Sequence, residues 1–521
     1  MSTLLILTIF LPLAGAAIVL LMKSTAGAVI RTTGALTAAA TFAASLFLAG
    51  GFDPSAAGFQ MVTRIPWVDN LSISFHVGID GMSLLLILLT TFMTPLALLG
   101  SWKSIDTRPR EFVVMMLLLE TGILGVFASL DLFLFYVFWE AMLIPMYFII
   151  GIWGGRNRSY AAIKFFLYTM AGSLLMLIAI IWLAYQGPPV TGGTFTTDLQ
   201  TLYGVGPRLP AQIQLWMFLA FTLSFAIKVP LFPLHTWLPD AHVEAPTAGS
   251  VMLAAVLLKM GTYGFLRFSV PLFPGAALVC LPWLSGLAVV GIVYGALVSM
   301  VQTDIKKLVA FSSVSHLGFV VLGIFAMTEE SVQGGIIQMV NHGISTGALF
   351  LMVGMLYDRR HTRDFSEFGG IAKVMPVMAV FFMIVSLSSM GLPGLNGFIG
   401  EFLILVGAYS SPYLSPWFPV VGATGVILAA IYLLMMYQKV FLGENVNSAN
   451  APLADLSKRE VAVLVPIVVL IVWIGVFPGS FLKLSAGGTR DLVQAFRRDT
   501  IGATMSVTAS PPAASPSRNE K

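Results

Sequence analysis

Apolar runs long enough to cross a bilayer recur along nearly the whole of this 521-residue chain, so lipid must be the solvent for most of its surface. About 14 such runs are read, near 3–22, 29–49, 80–100, 112–129, 132–150, 160–185, 212–233, 247–268, 277–301, 308–327, 333–356, 374–410, 416–441 and 461–479. Inside hydrocarbon a segment must pair its own backbone polar groups, which makes the expected class an all-α polytopic membrane protein. Charged residues are only 10% of the chain, against roughly 25% in a soluble domain. The net charge of +4 is dispersed, which excludes a nucleic-acid footprint. A single cysteine, Cys280, excludes a disulfide framework, and no Cys/His spacing suits zinc or an iron–sulfur cluster. No glycine-rich dinucleotide fingerprint follows a strand, and Gly204-Val-Gly206 reads as a polar loop. No cofactor or metal is expected on this chain, so any linked redox chemistry belongs to another. The first run, Leu4 to Met22, is followed rather than preceded by Lys23, and reads as an uncleaved helix.

Loop charges set the orientation. Alternate loops carry Lys23 and Arg31; Lys103, Arg108 and Arg110; Arg156 and Arg158; Lys306 and Lys307; Arg359, Arg360 and Arg363; Lys458 and Arg459. These belong on the cytoplasmic face, which puts both termini on the opposite, periplasmic side. Arg64, Arg208, Arg267 and the pair Glu329/Glu330 fall in the intervening loops, and Arg490, Arg497 and Arg498 run against the rule. The alternation through Leu71-Ser-Ile-Ser-Phe-His-Val77 predicts a strand or hairpin, and the Ser/Pro/Ala-rich stretch from about 500 to 521 predicts disorder.

Two spans are interrupted. The seventh holds Pro230 and Pro233 beside Lys228, and the twelfth holds Gly391-Leu-Pro393-Gly394-Leu-Asn396-Gly397 in its middle. Broken spans about five apart mark internal repeats in transporters, and an odd number of spans per copy inverts one against the other. The expected division is 1–110 for the first three helices with an external loop, and 111–270 and 271–442 for two inverted five-helix repeats. Helix 14 follows over 443–485, and a tail over 486–521.

Ionisable residues inside spans cost roughly 2.5–3.5 kcal/mol each at a helix centre, and are kept where they face protein or water. Glu140 lies mid-span, Lys228 at the break of span 7, Lys259 within an apolar run of span 8, and Glu401 just after the break of span 12. Each alone reads equally well as a structural ion pair or a snorkelling side chain; four together read as a proton path. If Glu140 lies near Lys228, its approach would hold the lysine protonated and its withdrawal would release the proton. His316 and His342, in neighbouring spans, can donate and accept at once and suit a relay, with Ser312, Ser313, Ser315, Asn341 and Thr346 placed to orient water. Glu120, Lys164, His235 and His242 are possible accessories. His76 and His361 fall in loops and receive no role.

Four motifs carry a resemblance: Phe75-His-Val-Gly-Ile-Asp-Gly-Met-Ser83, Trp139-Glu-Ala-Met-Leu-Ile-Pro145, Lys228-Val-Pro-Leu-Phe-Pro-Leu-His-Thr-Trp-Leu-Pro-Asp-Ala-His242 and Gly391-Leu-Pro-Gly-Leu-Asn-Gly-Phe398. They resemble the antiporter-like membrane subunits of respiratory complex I, a family shared with Mrp-type cation/proton antiporters. The resemblance spans all 14 runs and leaves out the tail. Glutamate at 401, where other branches carry lysine, is the pattern of the M-type branch. The resemblance implies that Glu140 and Lys228 form a coupled pair, Lys259 a central relay and Glu401 a terminal station, with His316 and His342 between. It implies N-type and L-type subunits on either side, and a peripheral arm carrying flavin and iron–sulfur clusters. A bacterial inner membrane is expected, with the mitochondrial inner membrane as the alternative. A Na⁺/H⁺ antiporter subunit of Mrp type is the alternative function.

Overall fold

The structure, a computed structural model, describes residues 1–191, 195–444 and 447–508. The chain opens with α1 (Ser2–Leu21) and α2 (Gly27–Gly50), crosses an antiparallel hairpin of β1 (Gln60–Val68) and β2 (Ile73–Ile79), and continues as α3 (Gly81–Gly100) and α4 (Pro109–Ala128). Then come α5 (Leu132–Ala141), α6 (Leu143–Trp153), α7 (Arg158–Thr191), the short α8 (Leu199–Val205), α9 (Ala211–Lys228) and α10 (Trp237–Glu244). One continuous run follows as α11 (Thr247–Met252), α12 (Leu258–Gly264) and α13 (Val270–Leu272), joined by π-helical turns over Leu253–Leu257 and Phe265–Ser269. The second half is α14 (Pro274–Met300), α15 (Ile305–Phe325), α16 (Glu329–Arg360), α17 (Pro376–Ser389), α18 (Asn396–Tyr409), α19 (Trp417–Phe441), α20 (Lys458–Val476) and α21 (Gly479–Thr508).

Thirteen helices are long and apolar enough to cross a membrane, and the shorter α17 and α18 follow one another where the twelfth span is expected. Helix starts are set by side-chain caps, which satisfy backbone donors that the helix itself leaves free. Asp80 accepts from Ser83 N at 2.9 Å, Asp131 from Phe133 N at 2.9 Å, and Asp304 from Lys306 N at 2.7 Å. Thr328 with Ser331, and Ser457 with Glu460, form reciprocal capping boxes.

Burial sorts the helices into layers. The windows of α16 and of the α11–α13 run are wholly buried, and that of α15 is 94% buried, whereas α1, α2, α7, α19 and α20 bury 39% or less. The inner helices are those that carry Lys259, His316 and His342. Polar side chains are cheap there because protein rather than lipid surrounds them.

Four expectations are corrected. Arg267 is not a loop charge: it is buried in the second π turn, paired with Asp80 at 2.6 Å. Lys306 is not a solvated loop lysine but lies 7% exposed in the first turn of α15. Gly204-Val-Gly206 closes helix α8 rather than lying in a loop. The stretch expected to lose order from about 500 is helical to Thr508 within α21; 509–521 lie outside the described residues. The predicted hairpin is present, and it employs His76: its Nδ1 lies 2.8 Å from Asp198 Oδ1, tying β2 to the start of α8.

Candidate proton-transfer row

Span 7 breaks where its prolines require. α9 ends at Lys228, and non-helical chain holding Pro230 and Pro233 leads to α10. The carbonyls this frees are re-used: Trp237 Nε1 donates to Ile227 O at 2.8 Å and Leu231 N to Ala226 O at 2.8 Å. Lys228 is buried, with Nζ 3.7 Å from Met142 Sδ and facing the rings of Phe165 and Trp139 at 5.3 and 5.5 Å. Glu140 sits in the last turn of α5, two residues before a second interruption at Met142. Glu140 Oε1 is buried without a hydrogen-bond partner. Among the described residues Glu140 and Lys228 form no direct ion pair; Met142 stands beside the lysine instead.

Lys259 lies just after the first π turn, fully buried. A π turn frees a carbonyl from the α pattern, and Lys259 Nζ donates to Ala254 O within that turn. Its other contact is His342 Nδ1 at 2.6 Å; with the ammonium charged, Nδ1 can only accept. The His342 ring stands 5.9 Å, centroid to centroid, from that of His316. Both line a small polar cavity with Gln338, Asn341, Ser345 and Ser388, leaving about 10 Å³ for a water centre, room for about one molecule.

His316 Nδ1 lies 3.1 Å from Glu401 Oε1, and Tyr432 OH lies 3.0 Å from its Nε2. Gln338 Nε2 also donates to Glu401 Oε1, at 3.2 Å. Glu401 is placed by the break between α17 and α18. Gly391 holds φ +78, and a Cβ there would come 2.9 Å from Glu401 Oε2. Only glycine accepts that backbone without strain and leaves the carboxylate room. Pro393 and Gly394 (φ +91) complete the turn, and Gly397 packs its bare Cα against Ser388 O. Asn396 fastens the break to α16 by accepting Asn341 Nδ2 on its carbonyl at 2.7 Å.

Lys259, His342, His316 and Glu401 thus form one buried row. The other candidates stand apart from it. His242 is buried and stacked 4.5 Å from Phe350, with neither ring nitrogen hydrogen-bonded to protein. His235 lies in the break against Phe232 and Tyr294. Lys164 pairs with the half-exposed Asp240 at 2.7 Å. Glu120 is fully buried on α4, with neither oxygen hydrogen-bonded. Ser312, Ser313 and Ser315, expected to orient water around the imidazole, use their hydroxyl protons within the protein. Their hydroxyls donate to the carbonyls of Val309 and Ile292, while Asn341 and Thr346 do line the cavity. Tyr432 and Gln338 were not singled out, because one tyrosine or glutamine in an apolar span carries no distinctive spacing. Lys306 was hidden by its place in a basic loop motif.

A bundle of membrane-spanning helices with a buried lysine–histidine–glutamate row defines a membrane protein of the proton-transporting class. Residues 129–436 match the family described as NADH:quinone oxidoreductase/Mrp antiporter, transmembrane, and residues 6–125 match that of NADH-ubiquinone oxidoreductase chain 4, amino terminus. The chain belongs to this family. It is 44% identical to NADH-quinone oxidoreductase subunit M of Rhodobacter capsulatus, over 98% of this chain and 100% of that one. Respiratory complex I from Thermus thermophilus contains a chain 34% identical, with TM-score 0.84, covering 95% of this chain and 99% of that one. A chain of the Mrp complex from Dietzia shares the fold at 21% identity, with TM-score 0.81, covering 95% of this chain and 99% of that one.

Proposed function

We propose that this chain is the M-type proton-translocating membrane subunit of an NADH-quinone oxidoreductase. Electrons pass from NADH to quinone on other subunits, which hold the flavin and iron–sulfur clusters, and this chain moves protons across the membrane in response. It acts as part of an enzyme without holding its redox site. Its partners are N-type and L-type membrane subunits and the peripheral arm. It sits multi-pass in a bacterial inner membrane with both termini periplasmic. Residues 111–270 and 271–442 act as inverted repeats, a reading supported by the breaks in spans 7 and 12.

One observation carries the proposal: the buried row Lys259–His342–His316–Glu401, joined by two short contacts and a one-water gap. A proton on Lys259 has a ready acceptor in His342 Nδ1. Beyond the gap, the His316–Glu401 unit takes it on, with Gln338 and Tyr432 holding that unit in place. Glu140 and Lys228 feed the row: movement of Glu140 towards the lysine favours its charged form and withdrawal disfavours it. Each proton moved against 100 mV costs about 2.3 kcal/mol, and that drive comes from the redox subunits through a two-state element, for which the broken spans are the candidates.

The test replaces Glu140 with Gln and, separately, Lys228 with Ala. NADH oxidation by quinone and proton uptake are followed in membrane vesicles after assembly is checked on a native gel. Assembled complexes that lose both turnover and uptake uphold the proposal. Variants that pump like wild type would refute the Glu–Lys role. Cation/proton exchange without any redox substrate would favour the Mrp-type reading.

A further inference from the structure

The last turn of α10 is gripped from the second half of the chain. The grip starts at Asp304, which caps α15 through Lys306 N and Lys307 N at 2.7 and 3.0 Å and meets Arg363 Nε at 3.3 Å. The chain after α16 is zipped to the same point: Ile305 N donates to Arg363 O and Phe365 N to Thr303 O, each at 2.9 Å. From this node two cations cross to α10. Arg363 Nη1 donates to Val243 O at 2.8 Å, and Lys306 Nζ to Ala245 O at 2.6 Å. On the other side Gly155 N donates to Glu244 O at 2.9 Å.

The direction of Lys306 is informative. A cavity of about 740 Å³ opens beside it, lined also by Lys103, Arg156, Arg359 and Arg459 from the loops assigned to the cytoplasmic face. A long lysine ordinarily snorkels its charge towards such water. Lys306 fixes it at the cavity wall on carbonyls at the end of a broken half-helix, where orphan acceptors and the helix dipole favour a cation. The grip comes from the helices of the row and their continuation: Lys306 lies on α15, which carries His316, and Arg363 three residues past the end of α16, which carries His342. The gripped element carries His242, and Asp240 paired to Lys164, and it continues from the break at Lys228.

We infer that Lys306, assisted by Arg363, is a positioning residue that latches the C-terminus of α10 to α15 and α16, so that the broken span bearing Lys228 and the row beginning at Lys259 change state together. The latch is a property of this chain; its effect on pumping rests on the proposed function. Hydrogen–deuterium exchange on the purified complex reads the first, and proton uptake per NADH oxidised reads the second. In assembled Lys306→Met complex, amides of residues 237–244 should exchange on the order of tenfold faster, as expected for losing a hydrogen bond from a charged group. Those of α9 should be unchanged, and proton uptake should fall. Lys306→Arg, which keeps the charge, should restore both. Unchanged exchange at 237–244 in Lys306→Met overturns the latch, and faster exchange with wild-type uptake overturns its coupling to the row. If Lys306→Met does not assemble, Arg363→Met is read by the same two measurements and the same outcomes. Wild-type complex without redox-driven uptake would sink the proposed function while leaving the exchange result to decide the latch.

Discussion

His342 is the residue on which the row turns, because it alone touches Lys259 and faces His316. His342→Ala should leave a gap too wide for one water, and NADH-driven proton uptake by assembled complex should drop by at least about tenfold, the scale of a lost proton-transfer group. Tyr432→Phe removes one neutral hydrogen bond to His316. It should cost about 0.5–1.5 kcal/mol, visible as a smaller loss in the same assay. Away from the membrane, burial raises the Asp198 carboxyl, but hydrogen bonds from His76 and Thr201 outweigh it and hold the group at about 2 against an ordinary 3.8. A carboxylate whose folded value is depressed stabilises the fold fully above its unfolded value and loses that contribution as pH falls through the folded one. Asp198→Asn should therefore lower the melting temperature of the purified complex at neutral pH, and the difference from wild type should shrink between about pH 4 and pH 2. An equal penalty at both ends of that window would discount the His76–Asp198 tie. The sequence made the row's charges and imidazoles visible, since each is costly in a span. It left His76 and Lys306 unread, because each lies in a segment whose polarity already has an ordinary explanation.

Among the elements, the breaks in spans 7 and 12 were read from the sequence, whereas the one beside Glu140, written there as Pro145, was passed over, and the one beside Lys259 was not legible. Proline and glycine announce a break by removing a donor or freeing the backbone. The interruption at Met142 precedes Pro145, which has no N–H to bond Ala141 O, and the second π turn runs directly into Pro271; the first π turn, over Leu253–Leu257, contains neither residue. α4 presses on Met142 so closely that a Cβ at Gly122 would lie 3.0 Å from Met142 Cβ. The span 12 break offers a controlled test. Gly391 and Gly394 both hold positive φ, yet only Gly391 faces Glu401; nothing lies within 4 Å of a Cβ at Gly394. Gly394→Ala should cost only the left-handed backbone, about 1–2 kcal/mol. Gly391→Ala should cost more and also lower proton uptake by displacing Glu401. Equal effects of the two on uptake would mean that the glycine's role is confined to the turn.

For the whole molecule, basic loops assigned to one face by charge alone do meet there: Lys103, Arg156, Lys306, Arg359, Arg363 and Arg459 line a single cavity. With Cys280 replaced by serine, a cysteine at Lys103 should react with a membrane-impermeant thiol reagent only from the cytoplasmic side, and one at Asp53 only from the other. The reverse pattern would invert the topology. Solvent class, number of spans, the two punctuated breaks and the charges of the row were determined by the sequence itself, because hydrocarbon admits few solutions and each is written locally as run length, proline, glycine or a misplaced charge. Which helices lie inside, the 2.6 Å approach of Lys259 to His342, the π turn that aims it and the reach of Lys306 to α10 were decided only by tertiary structure. These are contacts between residues tens of positions apart, and no local pattern encodes how two packed helices turn their side chains towards each other.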